Sequence, residues 1–266
     1  MNAPVPAAET ALIPDLKGKA VLITGGSTGI GAAAALAFGR NGAKVAVNFN
    51  ASQDEAEKVA AGIEAAGGQA ALVRGDVTKP ETAAEAVAQT VKAFGRLDVL
   101  INNAGALIKR TPVADYTDDY VSAVLALNVE QVVRFVREGA AQMRRQGGGG
   151  AIINVSSIAA RHGGGPGSVI YAAAKGFVAT ATRGWAKELV RDRIRVNAVS
   201  PGVIMTPFHE RYSTAEQLAA MQATIPMDRL GTPDECAGAF LYLASETMSG
   251  YVTGQIIEVN GGQYMP

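Results

Sequence analysis

The sequence predicts a single-domain α/β fold, a doubly wound parallel sheet of about seven strands with helices on both faces. Three observations predict it. Short apolar runs alternate with longer segments rich in Ala, Glu, Lys and Gln, and such alternation builds a parallel sheet with right-handed crossovers. Several of the runs are apolar at nearly every position, as strands covered on both faces must be. The chain has 266 residues, 48% of them hydrophobic, and no Gly/Ser-rich linker divides it, which suits one sizeable core.

The elements follow in order. Residues 1–18, rich in Pro and Ala, read as a flexible leader to a domain spanning 19–266. AVLIT (20–24) is the first strand, and TGGSTGIG turns it into a helix over 30–41. Next come a strand at 44–49, a helix at 53–66, a strand at 69–73, a helix at 80–94 and a strand at 97–101. The periodic segment 118–145 predicts one long helix, and Gly147 to Gly150 a loop before the strand AIINV (151–155). A helix over 170–190, a strand at 194–199, a helix over 233–245 and a strand at 255–259 complete the pattern.

Composition excludes several functions. Lys plus Arg number 24 and Asp plus Glu number 24, giving a net charge of +0, so no basic field for nucleic acid or a membrane surface is implied. One cysteine, Cys236, and two histidines, His162 and His209, leave no disulfide framework and no ligand set for a metal. The N-terminal residues lack a basic start followed by an apolar run, and no run reaches the ~20 apolar residues of a membrane span. A cytoplasmic location is the expectation.

TGGSTGIG fits two chemistries. As Gly25-x-Ser27-x-Gly29 it matches the turn presenting a nucleophilic serine in hydrolases, with His162-Gly163-Gly164-Gly165 resembling an oxyanion loop. As a glycine-rich turn between a strand and a helix it is a cradle for phosphates. The hydrolase order is wrong, because the HGGG string lies far downstream of Ser27. Strict G-x-G-x-x-G is absent, so the phosphate reading needs support elsewhere. Tyr171 and Lys175 provide it: four apart, they share a helical face. An ammonium beside a phenol favours the phenolate and lowers its pKa, which makes the phenol a usable acid/base for a carbonyl/alcohol pair. Ser157 follows a strand, at the carboxyl edge where parallel sheets carry their sites.

These residues, with Asp76-Val77, Asn102-Asn103-Ala104-Gly105, Asn128 and Pro201-Gly202, resemble the short-chain dehydrogenase/reductase family over nearly the whole chain. The resemblance implies a Rossmann-type oxidoreductase moving a hydride between a nicotinamide cofactor and a carbonyl or secondary alcohol. It implies Tyr171 as general acid/base and Lys175 as the group that tunes it and holds the nicotinamide ribose. Ser157 would steady the substrate oxygen, and Asn128 would hold a water of a proton relay. Ser157, fourteen positions before Tyr171, suits the family spacing better than Ser156 does, with one extra residue in the intervening loop. The cofactor contacts implied are Gly25, Ser27, Thr28, Gly29, Ile30, Gly31, Asp76, Val77, Asn102, Ala104, Gly105, Pro201, Gly202, Ile204 and Thr206, beside Tyr171 and Lys175.

After the second strand stand Asn48, Asn50 and Ser52, with no carboxylate to bond a ribose 2′-hydroxyl. Neutral donors there favour NADP, with NAD possible. In appearance the nearest subgroup is the 3-oxoacyl-acyl-carrier-protein reductases, where Arg144, Arg145, Arg183 and Arg191 would meet an acidic carrier. Solvated charges explain the same arginines. An NAD-dependent sugar or polyol dehydrogenase is the second reading, and a catalytically silent nucleotide-binding scaffold a third. Residues 207–226 resemble a substrate lid, though a plain surface helix fits the same letters. Apolar rows at Phe177, Ala181, Trp185 and Leu189, and at Val121, Leu125, Val129, Val132 and Val136, exceed what one buried face needs. By resemblance they predict a homotetramer.

Overall fold

Seven apolar runs become the strands β1 (Ala20–Ile23), β2 (Lys44–Phe49), β3 (Gln69–Arg74), β4 (Val99–Asn102), β5 (Gly150–Val155), β6 (Ile194–Pro201) and β7 (Ile256–Val259). In the computed structural model, which describes residues 12–266, they form one parallel sheet in the order β3-β2-β1-β4-β5-β6-β7. Helices are α1 (Gly29–Arg40), α2 (Gln53–Ala65), α3 (Thr82–Phe94), α4 (Asp118–Leu125), α5 (Gln131–Gln146) and the short α6 (Ala159–His162). Then follow α7 (Val169–Leu189), α8 (Pro207–Tyr212), α9 (Ala215–Gln222) and α10 (Pro233–Ala244).

The strands need apolar residues on both sides because each face carries its own core. Val21 and Ile23 of β1, Val99 and Ile101 of β4 and Ile153 of β5 pack under α1, α2 and α10. The residues between them, Leu22, Leu100 and Ile152, point the other way, into the core beneath α3, α5 and α7.

Two expectations are corrected. The predicted helix over 118–145 is interrupted by a π-helical turn at Ala126–Glu130. Asn128 occupies it, fully buried, its side-chain amide donating to the carbonyls of Val124 and Ala106 (both 2.9 Å). A side chain inserted into the helical ladder widens it locally. The leader expected over 1–18 extends too far: residues 1–11 lie outside the described residues, but Ile13 and Gly18 are tied to the domain by hydrogen bonds to Asn41 and Gly42. Leu16 is fully buried, and Asp15 accepts hydrogen bonds from the Ser245 hydroxyl (2.8 Å) and the Thr247 amide (3.0 Å).

Candidate active site

β1 pairs with β2 on one side and β4 on the other, so the chain leaves the sheet in opposite directions there and a crevice opens at the carboxyl ends. A cleft of about 540 Å³ occupies that place, within the range of small-molecule sites. Its floor is the turn from β1 into α1. Gly25 and Gly29 have φ of 60° and 54°, a region costly for residues with a Cβ. At Gly31 the constraint is space: a Cβ would strike the Gly25 carbonyl and lie 2.5 Å from Nδ2 of Asn103.

α1 begins without a side-chain cap at Thr28 and with no acidic residue in its first turn. Its leading N–H groups therefore keep their hydrogen-bonding capacity and the positive end of the helix dipole is uncompensated. Thr28, Gly29 and Ile30 line the cleft, so the residues present fit the pyrophosphate of a dinucleotide. Ser27 does not behave as a nucleophile. Its hydroxyl shares a 2.7 Å hydrogen bond with that of Ser52, not with an imidazole.

The opposite wall is built by β5 and α7. Ser157, Tyr171 and Lys175 all line the cleft with Pro201, Gly202, Ile204 and Thr206. Nζ of Lys175 donates to the Val155 carbonyl (2.9 Å) and stands 5.8 Å from the centre of the Tyr171 ring. Burial drives the ammonium down to about 8. Burial also pushes the Tyr171 phenol up to about 12, with the Ser157 hydroxyl pulling weakly the other way. This corrects the expected lowering by Lys175: in the chain by itself desolvation of the phenolate dominates. Ser156 is a support, its hydroxyl bonded to the Lys175 carbonyl (3.0 Å).

Three asparagines turn into the protein. Asn48 is buried, and its amide nitrogen donates to the carbonyls of Val73 and Gly75 (both 3.1 Å). No donor hydrogen is left for a 2′-phosphate. Asn102 is buried under the cleft, bonded to Oδ1 of Asn154 (2.8 Å), which bonds Thr182 in turn (2.9 Å). Asn128 turns its Oδ1 to the Ala106 amide (3.2 Å) and gives both N–H groups to backbone carbonyls, so one lone pair of Oδ1 is the part of its carboxamide left over. All three lie at strand ends or a helix kink, where sequence alone does not reveal which way a side chain turns.

Of the other predicted contacts, Ala104 and Gly105 line the cleft. A Cβ on Gly105 would come within 2.8 Å of Oδ1 of Asn128 and 3.0 Å of Nζ of Lys175. Asn50 is exposed in the bend after β2, Val77 is buried, and Asp76 accepts from the amide (2.9 Å) and hydroxyl (2.7 Å) of Thr78.

α8 lies over the cleft, with the Phe208 ring 5.7 Å from that of Tyr171. Two further residues, not among the predicted contacts, line the cleft. Asn103 ties the β4 turn to the glycine turn through the carbonyls of Thr24 (2.9 Å) and Gly25 (3.0 Å). Arg110 reaches across the far end, its Nε donating to the Tyr212 carbonyl and its Nη1 to that of Pro166 (both 3.0 Å). Arg110 belongs to no motif; only its place after β4, at the carboxyl edge, hints at it. Arg161, beside the cleft, is paired with Glu258 at 2.9 Å.

The chain is similar to known oxidoreductases. A family model described as enoyl-(acyl carrier protein) reductase matches residues 25–263. The chain is 40% identical over 251 residues to L-rhamnose 1-dehydrogenase (NAD(P)(+)) of Sphingomonas sp. strain SKA58, covering 94% of this chain and 98% of that protein. Among solved structures it is similar to NADH-dependent reductase A1-R′ complexed with NAD (TM-score 0.84, 38% identity, 95% and 99% of the two chains). It is also similar to a short chain dehydrogenase of Burkholderia cenocepacia J2315 in complex with NADP (TM-score 0.86, 33% identity, 94% and 99%).

Proposed function

Because the chain belongs to the short-chain dehydrogenase/reductase family of NAD(P)-dependent oxidoreductases, we propose that it interconverts a carbonyl and a secondary alcohol at the Ser157–Tyr171 wall. The observation that carries this reading is the convergence of Ser157, Tyr171 and Lys175 on the cleft floored by the uncapped α1 turn. A bound nicotinamide supplies or takes the hydride. Tyr171, its phenol near 12, is protonated at neutral pH and gives its proton to the substrate oxygen in reduction. Ser157 donates a hydrogen bond to that oxygen as charge develops. Lys175, with a proton affinity near neutrality, stabilises the phenolate left behind and returns a proton to it.

NADP is the preferred cofactor in this reading. No carboxylate stands between Asn48 and Gln53, so nothing repels a 2′-phosphate, while Asn50 and Ser52 offer donors. A sugar or polyol as substrate is the second reading, favoured by the 40% identity to L-rhamnose 1-dehydrogenase. Arg144 lends no support to delivery by an acyl carrier. Arg144 is paired with Asp192 at 2.7 Å, just ahead of β6, whereas the cleft lies past Pro201, the last residue of that strand. Eight residues of strand separate them by roughly 20 Å or more.

A homotetramer is part of the proposal, supported by apolar side chains left exposed on α4, α5 and α7: Leu125, Val133 and Phe177. A cytoplasmic location is also part of the proposal; no described helix is long and apolar enough to cross a membrane. Nicotinamide absorbance followed over a panel of ketones, acyl thioesters and sugars, with NADPH and with NADH, tests the activity. Tight cofactor binding without turnover of any of them would favour the silent scaffold.

A further inference from the structure

Resting on the hydride-transfer reading of the cleft, we propose that the substrate carries an anionic group, a carboxylate or a phosphate, held by Arg110 with Arg211 at the cleft mouth. The cleft is lined by Arg110, His162, Lys175, His209 and Arg211, and by no Asp or Glu. The chain as a whole holds 24 acidic and 24 basic residues, so composition does not produce this bias.

Part of the positive lining serves the cofactor, but Arg110 stands at the other end. Along α8, Thr206 packs against Gly29 of the glycine turn, Phe208 packs on Tyr171, and the Tyr212 carbonyl takes the Arg110 hydrogen bond. The lid thus runs from the phosphate cradle, over the acid/base, to Arg110. Phe208 and Tyr212 are about 6 Å apart along the helix axis. That offset separates a reacting carbonyl under Tyr171 from an anion held by Arg110.

Arg110 is half-buried, and its partners are two neutral carbonyls, those of Tyr212 and Pro166. Other arginines, Arg144, Arg161, Arg195 and Arg229, each meet a carboxylate. No carboxylate among the described residues lies within ion-pair distance of Arg110. With two of its five donors engaged, the guanidinium keeps the geometry for a planar anion. A partly desolvated charge without a counter-ion is unfavourable until a ligand supplies one. His209, half-buried beside Ser213 (3.0 Å), feels the same field: burial and then Arg110 hold its imidazole below the usual range. Arg211 is exposed and stacks on Tyr212, 5.9 Å from the ring centre.

The full chain, saturated with NADP or NAD, is titrated calorimetrically with glutarate, an unreactive dicarboxylate, and separately with inorganic phosphate, which tells the two anion types apart. Glutarate or phosphate is expected to bind, tenfold or more weaker in Arg110→Gln and several-fold weaker in Arg211→Gln. The second variant changes an exposed side chain and so guards against a folding artefact in the first. In kinetics, kcat/KM for 4-oxopentanoate is expected to exceed that for its methyl ester at least tenfold, through KM. The same is expected for dihydroxyacetone phosphate over dihydroxyacetone if phosphate is the preferred anion. Both ratios collapse in Arg110→Gln. Neutral compounds turned over as well as or better than their charged partners, or anion binding absent or indifferent to both variants, would overturn the proposal. If no carbonyl compound is reduced at all, the oxidoreductase reading fails, and the titration alone decides whether the anion site exists.

Discussion

The hydroxyls of Ser27 and Ser52 lie 2.7 Å apart and join the glycine turn to the loop after β2. Ser52 thus stands where a cofactor's ribose would meet the edge of the sheet. Replacing it with Asp puts a carboxylate there and repels a 2′-phosphate. The expected result is a shift of the NADP/NAD ratio of kcat/KM toward NAD by tenfold or more. An unchanged ratio would show that Ser52 does not face that position.

Tyr171→Phe removes only the hydroxyl. Reduction is expected to fall by at least about 10², with cofactor affinity, read by fluorescence titration, near that of the parent. Turnover within a few-fold of the parent would remove Tyr171 from its role.

Lys175 gives a signature in stability. Its folded-state value of about 8 lies below the usual 10.5, so between these limits the unfolded chain binds the proton more tightly and stability rises with pH. Below pH 8 the buried ammonium costs roughly 3 kcal/mol. Denaturant unfolding should therefore show the parent gaining on Lys175→Met as pH goes from 7.5 to 10. Tyr171, raised to about 12, takes stability away only above pH 10, where the series stops. A constant difference between the two proteins would contradict the buried charge.

Gly105→Ala tests the space shared by Asn128 and Lys175. Its methyl would sit 2.8 Å from one polar atom and 3.0 Å from the other. Asn128 is pinned by three hydrogen bonds, so the longer Lys175 must yield. A tenfold or greater loss of kcat with an unchanged circular dichroism spectrum is expected. Activity within twofold of the parent would show that Lys175 tolerates displacement.

Assembly is best probed at Phe177, 44% exposed on α7. Trp185 is the weaker choice, since it already packs half-buried on its own core. Light scattering of the parent should give a multiple of 27.3 kDa, and Phe177→Glu should reduce it. A parent particle of 27.3 kDa would end the tetramer reading.

The sheet was legible because both-face burial makes strands such as AIINV apolar throughout, and each strand was expected within two residues of its place. Tyr171 and Lys175 were legible because helical spacing ties them together. The turn of Asn48, Asn102 and Asn128 into the protein was not, since a polar residue at an element's end can serve the backbone or a ligand equally well. The lid was blurred for another reason. α8 and α9 are short, contain no fully buried residue, and leave no apolar period to read. Leu189, Val132 and Val136, expected on a surface row, belong to the core of the single chain.

The π-turn at Ala126–Glu130 also sets the phase of everything after it. Each residue added to or removed from a helix rotates the following side chains by about 100°. Deleting one residue here would restore a regular ladder and swing Val132, Phe135 and Val136 off the sheet, where they are now at most 4% exposed. Keeping α5 in register without the bulge would instead draw Asn128 away from Ala106, the neighbour of Gly105 in the cleft wall. The irregular turn is the one rotation at which α5 seats its apolar face while Asn128 holds the cleft wall, so a single-residue deletion is felt at both ends of the helix.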